Sequence, residues 1–430
     1  MRNRAALLRR GVNSRMHSPR PAGTNSDLAI ERRATSLFRL CIGIYFIGGF
    51  LNSLVGLLVP RLRMIEGLNH TRSLLVQFAF HSSYLVFALP ITALVVRFGY
   101  MRSIAAGLLV MALGCVLLAA SLVSLSYVAV LAALLALAGG VTFLQIAGNI
   151  VVPMVEPARR AVSRMTLLQG FNSLGTVLAS LGGATLLLDA GRTQAIDVAG
   201  HVRIVLPFLV VALVTLVLAA AFLHRRDLLQ ALPALRRVPL SGMRAVLSHP
   251  RLLAGGAAMF AYVGAEVTIG TLLVEYLAMP DILHVSPVAA GQLVSLYWAG
   301  ALVGRLLGAR FLTRFGAPAM LLGCAVGAVV LVAVAVGLHG PVAAAALLAV
   351  GLCNAIMYPT IFALSLPEDH ATAPYASMLL CMVVVGGAIV PLLTGVIADA
   401  IGLTPSFLLP GACYLVIAAF AWWRLRPSRV

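Results

Sequence analysis

The sequence predicts an all-α integral membrane protein, with twelve transmembrane helices arranged as two pseudo-symmetric halves of six. Three observations carry that reading. First, 61% of the 430 residues are hydrophobic and only 10% are charged, with mean hydropathy +1.02, where a soluble chain carries about 25% charged residues. Second, the apolar residues fall into runs of about 20 or more, enough to cross a ~30 Å hydrocarbon core. Third, Arg97-Phe98-Gly99 recurs as Arg314-Phe315-Gly316, half a chain later. Both copies lie in short breaks between apolar runs, as expected of a duplicated six-helix unit.

Taken in order, residues 1–36 are polar and arginine-rich, with Pro19, Pro21 and Gly23 as punctuation, and read as a disordered basic cytoplasmic arm. They are too long for a signal-peptide n-region, and the apolar run behind them is too long for an h-region. Met16 is an alternative start. The spans are expected near 37–60, 74–96, 103–121, 127–153, 165–188, 204–223, 252–278, 288–312, 318–338, 342–365, 375–398 and 403–423. The longest polar break, 224–251, is a cytoplasmic linker between bundles at 37–223 and 252–423, and 424–430 is a cytoplasmic tail. With the N-terminus inside, sixteen arginines beyond the arm fall on the cytoplasmic side. Five fall outside: Arg61, Arg63, Arg72, Arg192 and Arg203. That bias puts both termini in the cytoplasm.

The formal charge of +18 comes from arginine alone, since the chain has no lysine. The arginines sit between apolar spans without aromatic interleaving, which argues against a nucleic-acid partner. Cys41, Cys115, Cys324, Cys353, Cys381 and Cys413 are scattered singly, so neither a disulfide framework nor a metal site is indicated. There is no P-loop and no nucleophile elbow. An enzyme is not expected, nor a cofactor. The expected surroundings are a lipid bilayer and a small-molecule substrate, with the protein a monomer.

Polar groups at membrane depth are costly, about 2.5–3.5 kcal/mol for a charged residue at a helix centre. Those retained fall at helical spacings that give one polar face per span. Span four has Gln145 and Asn149, and span five has Gln169, Asn172 and Thr176. Span seven has Tyr262 and Glu266, and span ten has Asn354 and Tyr358. Span one adds Asn52 and Ser53, span two Gln77 and His81, and span eight Tyr297, Trp298 and Arg305. Side-chain amides donate and accept as a sugar hydroxyl does, and aromatic rings stack on a sugar's C–H face. The competing reading is that the amides bond helix to helix as packing contacts. Glu266 is the one deep carboxylate and the first candidate for proton coupling, with His81 second. Arg305 is expected to bond helix-end carbonyls or to gate the cytoplasmic side, as are Arg97 and Arg314 in the repeated loops. Glu275 is expected at the interface, Asp399 in solvent, and Glu156, Glu368 and Asp369 in cytoplasmic turns.

Twelve spans in two halves, a basic middle loop and an Arg-Phe-Gly loop after the second span of each half resemble the major facilitator superfamily. Particular segments resemble its fucose–proton symporter family, in the pattern of the bacterial glucose/galactose transporter branch. They are Leu75-Val76-Gln77-Phe78-Ala79-Phe80, Gln169-Gly170-Phe171-Asn172-Ser173-Leu174-Gly175-Thr176 and Tyr262-Val263-Gly264-Ala265-Glu266-Val267. With them go Ser295-Leu296-Tyr297-Trp298-Ala299-Gly300 leading to Val303-Gly304-Arg305, Met357-Tyr358-Pro359-Thr360-Ile361-Phe362, and Gly386-Gly387-Ala388-Ile389-Val390-Pro391. The resemblance implies alternating-access import of a hexose such as fucose, glucose or galactose across the bacterial inner membrane, driven by protons. It also implies a span-one aspartate as proton carrier. Anchored on Pro60, that position is Gly56 here. The span-four glutamate of fucose permeases is Gln145, and the acid that precedes each loop arginine in the superfamily is Val96 or Thr313. These departures leave three alternatives beside a Glu266-coupled importer: an uncoupled facilitator, a drug or metabolite exporter, and a non-transporting sugar sensor.

Overall fold

A computed structural model of the protein describes residues 25–124, 126–155, 158–189, 198–226, 249–366 and 373–426. Most of the expected arm, linker and tail, the turn acids Glu156, Glu368 and Asp369, and the side chains of Asn149, Val96 and Thr313 lie outside the described residues.

Among the described residues, twelve stretches are long and apolar enough to cross a membrane: Thr35–Glu66, His70–Val95, Tyr100–Val123, Tyr127–Ile146, Leu167–Leu188 and Val202–His224 in the first half, and Pro250–Ala278, Pro287–Gly308, Ala317–Gly337, Gly340–Ser365, Met378–Ile401 and Leu403–Leu425 in the second. They are spans one to twelve. The first helix runs Asn25–Glu66, so residues 25–36 are helical and not part of a disordered arm. Two spans are broken. Span ten consists of helices Gly340–Asn354 and Met357–Ser365. In span eleven a 3₁₀ turn, Val383–Val385, separates Ala373–Met382 from Gly386–Ile401.

The packing repeats from half to half. Span one packs on five as seven packs on eleven, three on four as nine on ten, three on six as nine on twelve, and two on four as eight on ten. Equivalent glycines allow the closest approaches. A methyl group at Gly175 would lie 2.2 Å from the Phe46 carbonyl oxygen, and one at Gly386 would lie 2.0 Å from that of Phe260. The repeated tripeptide is matched in conformation as well. Gly99 (φ 80°) and Gly316 (φ 81°) end one helix and begin the next in a backbone region that favours glycine, and the guanidinium of Arg97 or Arg314 sits 5.4 Å over the neighbouring phenyl ring in each.

Spans one, two and five face seven, eight and eleven across the interface between halves. Span seven is the most enclosed of the twelve, while nine and six expose most of their surface. Large apolar side chains such as Leu213, Val217 and Val330 cover the periphery, which is stable when lipid is the solvent. The interface therefore holds the buried polar groups, and two ends can be distinguished. The near end carries the start of span one and the end of span twelve, and the far end carries the turns at 67–69 and 279–286.

Candidate functional site

The interface has three polar layers. At the far end, four spans meet in one network. Arg63, at the end of span one, pairs with Glu275, at the end of span seven. The same carboxylate oxygen lies 3.3 Å from His70 Nε2, and His70 Nδ1 lies 2.9 Å from Asp399 of span eleven. Asp399 also accepts the backbone N–H groups of His70 (2.8 Å) and Thr71 (2.9 Å) and the Thr71 hydroxyl (2.6 Å). An acid of one half thus occupies the positive N-terminus of a helix in the other. The expectation of Asp399 in solvent needs correcting, since it is only 23% exposed and bonded across the interface between halves; Glu275 lies at its span end and there pairs with Arg63 of the other half. The sequence did hold a signal, since both acids and their basic partners fall at span ends on the same side.

In the middle, a cavity of about 20 Å³ is lined by Asn52, Ser53 and Gly56 of span one, Gln77 of span two, Gly270 and Thr271 of span seven, and Trp298 of span eight. It holds a water-sized group, not a sugar. Gln77 donates through Nε2 to the Thr271 hydroxyl at 2.9 Å, again across the interface. Ser53 and Ser180 share a 2.8 Å hydrogen bond at the one–five contact.

Nearer the termini, the second half holds an aromatic and amide cluster. The Tyr262 hydroxyl hydrogen-bonds the Glu266 carboxylate one turn on, with the Arg305 guanidinium in electrostatic reach. The Tyr414 hydroxyl donates to Asn354 Oδ1 (2.9 Å), Asn354 Nδ2 donates to the Tyr297 hydroxyl (2.8 Å), and Tyr297 donates to the Glu266 carbonyl (3.3 Å). Tyr358 faces Tyr262, with ring centroids 6.2 Å apart. Arg305 crosses to the first half, donating to the Gln169 carbonyl (2.9 Å) and the Ser173 hydroxyl, while its Nε reaches the Ala355 carbonyl (3.4 Å) at the break in span ten.

The expected lining residues therefore separate into groups. Asn52, Gln77 and Trp298 line the cavity. Tyr262, Glu266 and Tyr358 form one face of the layer below it. Asn354 and Tyr297 are fully buried, and their hydrogen bonds join spans eight, ten and twelve. Asn172 donates to the Tyr45 carbonyl at 3.1 Å, within the first half. Gln145 hydrogen-bonds Tyr84. His81 is buried, with Nδ1 3.2 Å from the Gln77 carbonyl of its own helix and its ring packed on Gly387. Arg305 reaches across the interface, whereas Arg97 and Arg314 stack on their own phenylalanines at the near end. The sequence reading did not assign Thr271, Ser173 or the far-end network to the interface. Each is joined to its partner across long sequence separations that no local spacing reports.

Two parallel six-helix halves with polar groups converging on their interface at mid-depth define a multi-pass secondary transporter. Residues 41–371 match the Major Facilitator Superfamily, and the chain belongs to that family. It is 38% identical over 412 residues to the "Glucose/galactose transporter" of Brucella abortus biovar 1 (strain 9-941), covering 95% of this chain and 97% of that one. It is 27% identical to the "L-fucose-proton symporter" of Escherichia coli (strain K12), covering 93% and 95%. The solved structure of the transporter FucP in the outward conformation superposes with a TM-score of 0.71 at 26% identity, covering 92% of this chain and all of that one.

Proposed function

We propose that this protein is a monomeric hexose importer of the bacterial inner membrane, coupled to protons and working by alternating access, with both termini cytoplasmic and the far end periplasmic. The observation that carries the reading is the central cavity, where groups from both halves converge beneath a closed far end. The sugar occupies that cavity, enlarged as the halves rock apart. Asn52 and Gln77 bond its hydroxyls and Trp298 stacks on its C–H face. Gln145, Gln169, Asn172, Tyr262, Tyr297, Asn354 and Tyr358 line or support the path to the near end. Glu266 is the coupling carboxylate, held between Tyr262 and Arg305. His81 is the second candidate, and Arg97, Arg305 and Arg314 act at the cytoplasmic gate. The names of the relatives, a glucose/galactose transporter and a fucose-proton symporter, support the substrate class and the coupling ion.

Uptake of labelled glucose, galactose and fucose into proteoliposomes, with and without a protonophore, tests this. Accumulation against a gradient that collapses with the protonophore is the expected result. In Glu266→Gln, downhill uptake persists and accumulation is lost; unchanged coupling in that variant sinks the role of Glu266. One observation favours a second reading, that of an uncoupled facilitator: Gly56, at the family's carboxylate position, is in the cavity wall and cannot titrate. Equilibration without accumulation, insensitive to the protonophore, would establish it.

A further inference from the structure

Gln77 is only 2% exposed, and its amide faces the central cavity. Its Nε2 is bonded to Thr271, but its Oε1 has no hydrogen-bond partner among the described residues. Exchanging the amide's oxygen and nitrogen leaves the count unchanged: Thr271 satisfies one of them, and one buried polar atom remains. A buried amide atom without a partner at the wall of this cavity calls for an explanation, and a water or a ligand hydroxyl would supply one. Part of the cavity beside the Gln77–Thr271 bond exists because residue 56 has no side chain. A methyl group on Gly56 would lie 3.9 Å from Gln77 Nε2 and 3.9 Å from Thr271 Oγ1, in ordinary contact with both, so it would fit while narrowing the cavity next to that bond. On span seven, Gly270 lets the edge of the Trp298 ring come close to the helix, where a methyl would lie 3.0 Å from that ring.

We propose that the pocket formed by Gly56, Gln77 and Thr271 is a subsite for a single hydroxyl group of the transported sugar, and that Gly56 is a specificity-determining residue. The proposal rests on the hexose-importer reading. A hydroxyl both donates and accepts, so it satisfies whichever amide atom Thr271 leaves. The cavity of about 20 Å³ matches one such group or one water. In the sugar-free protein a water takes this place, and the substrate's hydroxyl displaces it. A larger residue at position 56 would close the subsite to any sugar that projects a hydroxyl there, and would leave one lacking it unaffected.

The experiment uses the full-length protein in proteoliposomes and compares a transported hexose with its complete series of monodeoxy derivatives. In the wild type, one derivative is expected to show a KM about tenfold higher than the parent sugar, the loss of one buried hydrogen bond. In Gly56→Ala and in Gln77→Met, the parent sugar's KM should rise more than the derivative's, so the tenfold discrimination shrinks toward one. A monodisperse gel-filtration peak for each variant in detergent shows that it is folded. If the variants keep the wild-type discrimination, the pocket holds water only and the proposal is overturned. Absence of hexose uptake by the wild type overturns the importer reading and the subsite with it. Hexose uptake with unaltered discrimination overturns the subsite alone.

Discussion

The two ends of the inter-half interface are closed by different means. At the far end, four charged or titratable side chains from four spans, Arg63, His70, Glu275 and Asp399, form a connected network that also caps a helix. Below the cavity, among the described residues, the cross-half hydrogen bonds come from a single guanidinium, Arg305, donating to Gln169 and Ser173 of span five amid apolar packing. A network shares its energy over several partners, so losing one charge weakens it without abolishing it. A single donor concentrates the contact in one residue, so its removal is felt in full. The far end is also partly wet, with Arg63 31% exposed, and solvent screens its charges. Arg305, deeper in the bundle, is screened less.

The largest effect should therefore come from Arg305→Gln. Hydrogen bonds to charged groups contribute about 1.5–3 kcal/mol, so loss of the contact should shift the balance toward a near-end-open state by roughly ten- to a hundredfold. A cysteine introduced at Val294, a buried residue of the cavity wall, reports this. Its alkylation by an impermeant maleimide should accelerate from the near side only, and uptake should fall. Acceleration from the far side would reverse the assignment of Arg305 to the near-end gate.

Next in size is Asp399→Asn, which removes a charge from the cap of span two and from His70 while keeping the shape. Replacing a charged acceptor by a neutral one here costs about 1 kcal/mol, a several-fold shift. The same cysteine should react several-fold faster from the far side and no faster from the near side. Together the two variants should act as mirror images. If both accelerate reaction from the same side, the two contacts belong to a single gate and the comparison fails.

The ease with which each layer can be read from sequence follows from the range of its interactions. Span number, the six-and-six division and the duplicated loops were legible, because they depend on apolar length, arginine bias and a glycine with positive φ, all local to the chain. The pairing on span seven was legible for the same reason, since Tyr262 and Glu266 are one helical turn apart and hydrogen-bonded to each other. What each amide does was not. Asn354 and Asn52 look alike in sequence, yet Asn354 ties spans eight and twelve together and Asn52 lines the cavity. The difference depends on which helix arrives opposite each one. Asp399 was misread for that reason: at a span end the neighbouring water was the obvious partner, and the N-terminus of span two, 328 residues away in sequence, was invisible.

The smallest effect is expected from Arg63→Gln, and it discriminates most sharply between a network and a set of independent pairs. Arg63 shares the Glu275 carboxylate with His70, so its loss leaves Glu275 one partner and Asp399 all of its own. The pair is part-buried, with Arg63 still reached by solvent, so its worth lies near the upper end of the about 0.2–1 kcal/mol of surface pairs, and far-side alkylation at position 294 should rise by no more than a few fold. Glu275→Gln removes the acceptor for both basic groups and should do more. In the double variant, Arg63→Gln with Glu275→Gln, the effect should equal that of Glu275→Gln alone, because the arginine no longer has a carboxylate to lose. A double variant in which the two single effects add would show that Arg63 holds the far end through some other contact, and the network would reduce to His70 and its two acids.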